Sequence, residues 1–444
     1  MAKAAALIVV LSIGASLAAQ APLPAPGITA TLDRVAQRWV DDTFRKMTLD
    51  DKVGQLVMTT TFTTYLASDT DAFESLATRV KTLRLGGVHV FGGVEASPGV
   101  LLNNGYGTVI LGQPLEAASI LNRLQAQAAI PLLTSGDFEA GVGFRISGAT
   151  VFPREMAIAA ANSEELAFQA ARITASESRA IGVHMNFSPV ADVNNNPRNP
   201  VINTRSFGEA PADVGRFTAA FVRGLRAGGA LSTLKHFPGH GDTDVDSHLG
   251  LPIITHPRER VEQIELAPFR DGIAAGADVV MTGHIQMPAL DPAEMSPATL
   301  SEPIVTGLLR RDLKFDGLVV TDSMVMDAVS RRLQPGDAAV RAVKAGNDLV
   351  LQPADDAAAV AAIKAAVERQ EIPMAQVDAS VRRILTAKAK LGLHKTRVVS
   401  LDELPARVGG RASAAVAQEI GAKSITLLKD DRHQVPLRVP RESS

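Results

Sequence analysis

The run Lys235-His236-Phe237-Pro238-Gly239-His240-Gly241-Asp242-Thr243-Asp244-Val245-Asp246-Ser247-His248 gathers three His, three Asp and one Lys around a Pro-Gly turn. Such a density of ionisable groups is incompatible with a core strand, because charged side chains are almost never buried without partners. Three chemistries compete for it. His240, Asp242, Asp244, Asp246 and His248 alternate, as ligands around a metal could, but five side chains on one side of an extended segment exceed what one metal usually takes. A solvated acidic loop is the second reading, and it leaves Lys235 and His236 without a reason to stand at its start. The third is proton transfer. In Asp246-Ser247-His248 the carboxylate can hold and charge the imidazole, so that the ring donates and then accepts a proton near neutral pH.

An acid/base of this kind needs a nucleophile or electrophile. Asp322 directly follows the apolar run Gly317-Leu318-Val319-Val320-Thr321. A carboxylate at the end of a buried strand is desolvated unless it has a partner or a chemical role, which makes Asp322 the candidate nucleophile. Its structural alternative is the N-cap of a helix beginning near Ser323.

These residues require elements that bring them to one place. The apolar lead-in Ala230 to Leu234 runs straight into the charged cluster, as a buried strand does where it leaves a sheet. Similar runs read as buried parallel strands at Gly87 to Phe91, Pro131 to Thr134, His184 to Phe187, Leu231 to Leu234, Asp278 to Met281, Gly317 to Val320 and Asp348 to Leu351. Ala-rich segments with helical spacing lie between them, at Glu155 to Ala180, Ala210 to Ala227 and Ala354 to Arg369. Thr48-Leu49-Asp50-Asp51 opens a further helix with a capping-box pattern, leading into Val53, Leu56 and Val57. Seven strands with one unplaced predict an α/β fold of the (β/α)8 TIM-barrel type; an open doubly wound sheet is the alternative. Asp137, Asn186, Lys235, His236, His284 and Asp322 each fall at or just past the end of a strand run, as on the active face of a barrel.

The 444 residues divide by composition. Residues 1–21 read as an export signal, with Lys3 ahead of an apolar stretch too short to span a membrane comfortably, and the Pro-rich 22–30 reads as a linker. A buried or anchoring N-terminal helix is the competing reading. Residues 31–395 form the expected barrel, closed by a helix over Val377 to Leu393, and Ser97 to Gln113 reads as a loop. A linker at 396–411 leads to 412–444, which reads as a docking tail or the start of a second domain, with Ser424 to Leu428 as a lone strand. A periplasmic or secreted location follows from the signal, with no stable membrane span after its removal. The net charge of −2 and scattered Lys and Arg exclude a nucleic-acid surface. The absence of Cys excludes thiol catalysis, thiolate zinc sites and disulfides. One Trp and two Tyr leave little for a long aromatic stacking cleft and fit a short pocket better.

The chain resembles glycoside hydrolase family 3, within it the β-N-acetylglucosaminidase subgroup. The resemblance is carried by Lys235 to His248, by Asn186-Phe187-Ser188-Pro189-Val190-Ala191-Asp192-Val193, by Asn199-Pro200-Val201-Ile202, by Arg205-Ser206-Phe207-Gly208 and by Val320-Thr321-Asp322-Ser323-Met324. It spans roughly Met47 to Leu393. It implies a retaining exo-glycosidase in which Asp322 is the nucleophile, His248 the acid/base and Asp246 its partner. Asp137, Arg145, Arg205, Lys235 and His236 are implied as sugar contacts, and His284 fits a family strand end either as a contact or as a structural His. No cofactor or metal is implied, and the expected partner is a small-molecule or oligosaccharide substrate such as a muropeptide or chitooligosaccharide. A β-glucosidase or β-glycoside phosphorylase of the same family is the nearest alternative; a metal-dependent hydrolase and a non-catalytic sugar-binding barrel lie further off. The chain departs from the subgroup at Asp137-Phe138-Glu139-Ala140-Gly141, where Asp-Gln-Glu-Gly-Gly is more usual. Ala417 to Leu437 resembles the opening of the α/β sandwich domain that many members carry after the barrel.

Overall fold

The computed structural model describes residues 31–96, 108–292 and 296–436. The expected export signal and its linker lie outside the described residues, as do residues 97–107 of the expected loop. The strands are β1 (Val57–Phe62), β2 (Gly87–Phe91), β3 (Gly93–Ala96), β4 (Thr108–Leu111), β5 (Leu133–Gly136), β6 (Met185–Asn186), β7 (Leu231–Phe237), β8 (Val279–Thr282), β9 (Leu318–Thr321) and β10 (Val350–Leu351). Eight of them form a parallel sheet in the order β10-β1-β2-β5-β6-β7-β8-β9, and a parallel bridge from Val320 to Leu349 joins β9 back to β10. The sheet therefore closes into a (β/α)8 barrel. β3 and β4 stand apart as an antiparallel pair; β4 falls within Ser97 to Gln113, expected to be a loop, and β3 directly precedes that segment.

Closure explains the composition of the strands. β8 reads Val-Val-Met-Thr and β9 Leu-Val-Val-Thr, and every residue in both is buried. Such strands face packed side chains inside the barrel and helices outside, and each buried Val or Leu stabilises by about 1.5–3 kcal/mol. The unplaced strand is β1, Val-Met-Thr-Thr-Thr-Phe, whose β-branched Thr residues suit a pleated surface. The helix before it, Leu49–Gln55, opens with the expected capping box: Thr48 N donates to Asp51 Oδ2 at 2.8 Å and Asp51 N donates to Thr48 Oγ1 at 3.2 Å. That helix stops at Gln55, so Val57, read as its continuation, opens the first strand.

The expected helix over Glu155 to Ala180 is two helices, Glu155–Ala160 and Glu164–Ala180. Asn162 takes φ 51° and Ser163 caps the second by accepting from Leu166 N. Helices Pro211–Ala227, Asp356–Glu368 and Met374–Lys390 match their expected segments. The tail is helical, whereas a lone strand was expected in it. It forms a helix, Arg411–Ser424, whose Ile420 is buried against the helices Glu155–Ala160 and Glu164–Ala180. The lone strand expected at Ser424 to Leu428 is absent: Ile425 and Leu428 are 82% and 91% exposed and the segment pairs with no described strand. No described helix is long and apolar enough to cross a membrane.

Candidate active site

β7 runs on through Phe237, so Lys235, His236 and Phe237, expected to lie outside a core strand, are its buried end and carry the site's first charges inward, tolerated because each charge has a partner. Alternation along this strand turns Lys235 to the side opposite Leu234, which packs among the outer helices, and the Lys235 side chain is 2% exposed. Lys235 Nζ lies 2.8 Å from Asp137 Oδ1, just past β5, and 2.6 Å from Glu139 Oε1. Arg205 holds the same glutamate with a two-pronged grip, Nε to Oε2 at 3.0 Å and Nη2 to Oε1 at 2.7 Å. Two cations thus face two carboxylates in a nearly dry recess. Burial pushes the Asp137 and Glu139 carboxyls up, but Lys235 with His89 and Arg145 in the first case, and Arg205 with Lys235 in the second, outweigh it and hold both well below the usual range. Arg145 stands at the edge of the cluster, its Nη2 3.8 Å from Asp137 Oδ2 and its buried Nε without a hydrogen-bond partner among the described residues. Hydrogen-bond donors and acceptors of this kind match sugar hydroxyl and amide groups.

His236 belongs to a second cluster centred on Asp192. The carboxylate is 2.7 Å from His236 Nδ1 and accepts from the backbone N–H of His236 at 3.1 Å and of His240 at 2.7 Å. Arg205 Nη2 and His236 Nε2, 3.4 Å apart, connect this cluster to the first. His240 sits between the hydroxyls of Thr243 (2.7 Å) and Ser247 (2.9 Å); burial, with the neighbouring His236, pulls it down to about 4, so the ring is neutral at pH 7. Asn199 completes the anchoring by donating to the carbonyls of His240 and Gly241. Gly241 is required at its position, since a Cβ there would stand 1.8 Å from Val193 O.

The anchored segment ends in the Asp-Ser-His element. Asp246 Oδ1 is 2.6 Å from His248 Nδ1, which leaves Nε2 as the ring nitrogen not engaged by the carboxylate, on a side chain 59% exposed. Burial raises the Asp246 carboxyl, but the His248 N–H and ring outweigh it and keep it below its ordinary value. The alternating run does not form a ligand set. Asp242 pairs with Arg260 and His256, Asp244 with Arg198 and Asn196, Asp246 with His248, and His240 with hydroxyls.

Asp322 lies directly after β9, where its N–H donates to Thr282 O at 2.9 Å. Its Oδ1 accepts from Ser323 N at 2.7 Å. Burial again pushes the carboxyl up, and His236, His284, the Ser323 N–H and Lys235 together bring it below its ordinary value, so it is an anion at neutral pH. His284, buried and held down first by burial, bonds Thr299 Oγ1 and Ser323 O, and its ring feels the fields of both Asp322 and His248. An ionised carboxylate and an exposed, carboxylate-held imidazole therefore share one barrel mouth.

Three residues of the site were not singled out in the sequence. Glu139 and Asp192 lie inside motifs that are legible there, but their place at the centre of each cluster depends on strands far apart in sequence. His89, in β2, reads as part of an apolar core run; in space it bonds Ser135 Oγ at 3.0 Å, approaches Asp137 at 3.5 Å and stacks on Phe187.

Residues 48–387 match the family model described as the glycosyl hydrolase family 3 N terminal domain. The chain belongs to glycosyl hydrolase family 3. Within this family it is 32% identical over 422 residues to a protein of Cellulomonas fimi named Beta-N-acetylglucosaminidase/beta-glucosidase, covering 93% of this chain and 70% of that one. It is 36% identical over 352 residues to Beta-hexosaminidase A of Pseudoalteromonas piscicida, covering 73% of this chain and 58% of that protein. The solved structure of a family 3 beta-N-acetylglucosaminidase from Paenibacillus sp. str. FPU-7 superposes with a TM-score of 0.75 at 39% identity, covering 87% of this chain and 70% of the other.

Proposed function

We propose that the protein is a retaining exo-β-N-acetylglucosaminidase. The observation that carries this reading is the Asp246–His248 pair, bonded at 2.6 Å with one ring nitrogen left over, at the same barrel mouth as the ionised Asp322. Asp322 attacks the anomeric carbon while His248 protonates the departing glycosidic oxygen. A covalent glycosyl-enzyme forms, and a water deprotonated by the same imidazole then attacks the anomeric carbon and frees the sugar with its original configuration. The relatives' names support the sugar: one is a β-N-acetylglucosaminidase/β-glucosidase and another a β-hexosaminidase. Asp137, Lys235, Arg205, Arg145 and His236 are assigned to grip the terminal N-acetylglucosamine. The substrates are cell-wall muropeptides or chitooligosaccharides, reached outside the cytoplasm after export through residues 1–21.

The test is release of p-nitrophenol from its β-N-acetylglucosaminide and β-glucoside, with chelator present, by the wild type, Asp322→Ala and His248→Ala. Turnover of the acetylated sugar by the wild type, lost in Asp322→Ala, is the expected result. Full activity in Asp322→Ala sinks the assignment. A second reading, family 3 β-glucoside cleavage or phosphorolysis, is favoured by one observation: His248 in place of a second carboxylate leaves room for an anionic acceptor. It predicts sugar 1-phosphate as the product when phosphate replaces water.

A further inference from the structure

Ser323, the residue after Asp322, is anchored from several directions. Its N–H donates to Asp322 Oδ1 at 2.7 Å, its carbonyl accepts from His284 Nε2 at 2.9 Å, and its hydroxyl donates to Gln352 Oε1 at 2.7 Å. The next N–H, of Met324, donates to Leu351 O at 3.0 Å. The contact between Ser323 N–H and the neighbouring carboxylate depends on the tilt of one peptide plane. His284 holds the carbonyl of the following peptide plane and Gln352 the side chain on the Cα that joins the two planes, so Ser323 is fixed right beside the plane that carries its N–H.

Gln352 follows β10 and takes φ 48°, in the left-handed region that glycine enters without steric cost. Its backbone needs no side chain for its own bonding, since Gln352 N donates to Met58 O at 2.9 Å. A glutamine here is strained relative to glycine, and its amide oxygen is spent on the Ser323 hydroxyl. Strain kept beside reacting groups is a recurrent feature of functional sites.

We propose that Gln352 is a positioning residue, fixing the Asp322 carboxylate for attack through Ser323. The inference rests on Asp322 being the nucleophile. Attack requires the carboxylate oxygen in line with the leaving bond, and misplacement by an ångström can cost roughly 100-fold in rate. A carboxylate still present but freer to rotate loses less, about tenfold.

The experiment measures kcat, KM and thermal midpoint on the p-nitrophenyl N-acetylglucosaminide for Gln352→Gly, Ser323→Ala, the double variant and Asp322→Ala. Glycine relieves the backbone strain, so Gln352→Gly is expected to match or exceed the wild type in thermal midpoint while kcat falls about tenfold and KM stays within twofold. Because both changes break the same hydrogen bond, the double variant is expected to be no slower than the slower single variant. Wild-type kcat in Gln352→Gly, a change confined to KM, or losses that multiply in the double variant would each overturn the positioning role. Turnover retained by Asp322→Ala overturns the nucleophile reading with it, whereas an inactive Asp322→Ala beside a fully active Gln352→Gly overturns the positioning role alone.

Discussion

Asp246 Oδ1 accepts twice from His248, once from the ring Nδ1 at 2.6 Å and once from the backbone N–H at 2.9 Å. The second bond orients the carboxylate and the first fixes which nitrogen carries the ring's inner proton. Asp246→Asn retains the size but removes the charge that stabilises the imidazolium. With general acid/base catalysis contributing about 100- to 10,000-fold, kcat of the variant falls by about 100-fold or more and KM changes little. Steady-state kinetics on the aryl N-acetylglucosaminide check this, and a variant within threefold of wild type refutes the pairing's role.

Arg205 and Glu139 form a different kind of pair, nearly buried and two-pronged. Removing one partner of a buried pair strands the other, which costs about 3–5 kcal/mol. Lys235 still reaches Glu139 at 2.6 Å, so Arg205→Ala lies at the lower end, about 3 kcal/mol. Urea unfolding at pH 7 measures it. Arg205→Lys recovers only part of the loss, since an ammonium cannot reproduce the fork.

His240 links stability to acid. Its native value, about 4, lies below its ordinary 6.5, so the unfolded chain takes up the proton first as pH falls. The contribution is complete above pH 6.5 and is lost as pH drops towards 4, an effect of about 3 kcal/mol over that window. His240→Gln removes the titration. The stability difference between the two proteins therefore shrinks or reverses from pH 7 to pH 4; a difference constant with pH contradicts the reading.

Glu155 acts in the opposite sense. Burial, then the nearby Glu139, raises its carboxyl well above 4.5, while Val190 N donates to both its oxygens. The unfolded chain releases this proton first as pH rises, so the native state is favoured below about pH 4.5 and loses ground above it. Glu155→Gln carries no such penalty. Unfolding midpoints at pH 5 and pH 8 are expected to show the variant gaining on the wild type with rising pH.

Much of the barrel is legible because closed parallel sheets demand unbroken apolar strands. The runs containing β2, β7, β8 and β9 are of this kind. β1 escapes because its apolar start abuts a well-capped helix and its centre is Thr-Thr-Thr, polar by composition but β-branched by shape. The tail misleads for a complementary reason. Ser-Ile-Thr-Leu-Leu has strand composition, yet a strand needs a neighbour to satisfy its backbone, and in the described structure the segment finds none. At the site, Asp246, His248 and Asp322 can be read from local motifs, since each announces itself within a few residues. Glu139, Asp192 and His89 matter through partners on other strands, and Gln352 through a single hydroxyl 29 residues away.

The seam of the barrel joins Val57 to Val350, residues from opposite ends of the catalytic unit. Such distant contacts form late, because closing a long loop of chain is entropically costly before any contact rewards it. Gln352 sits beside that seam, its N–H donating to Met58 O, and it holds the Ser323 hydroxyl next to Asp322. After dilution from denaturant, the helical circular-dichroism signal should therefore return ahead of catalytic competence, and a chain arrested before the ends meet would bear a folded-looking flank and an unfinished mouth around the proposed nucleophile.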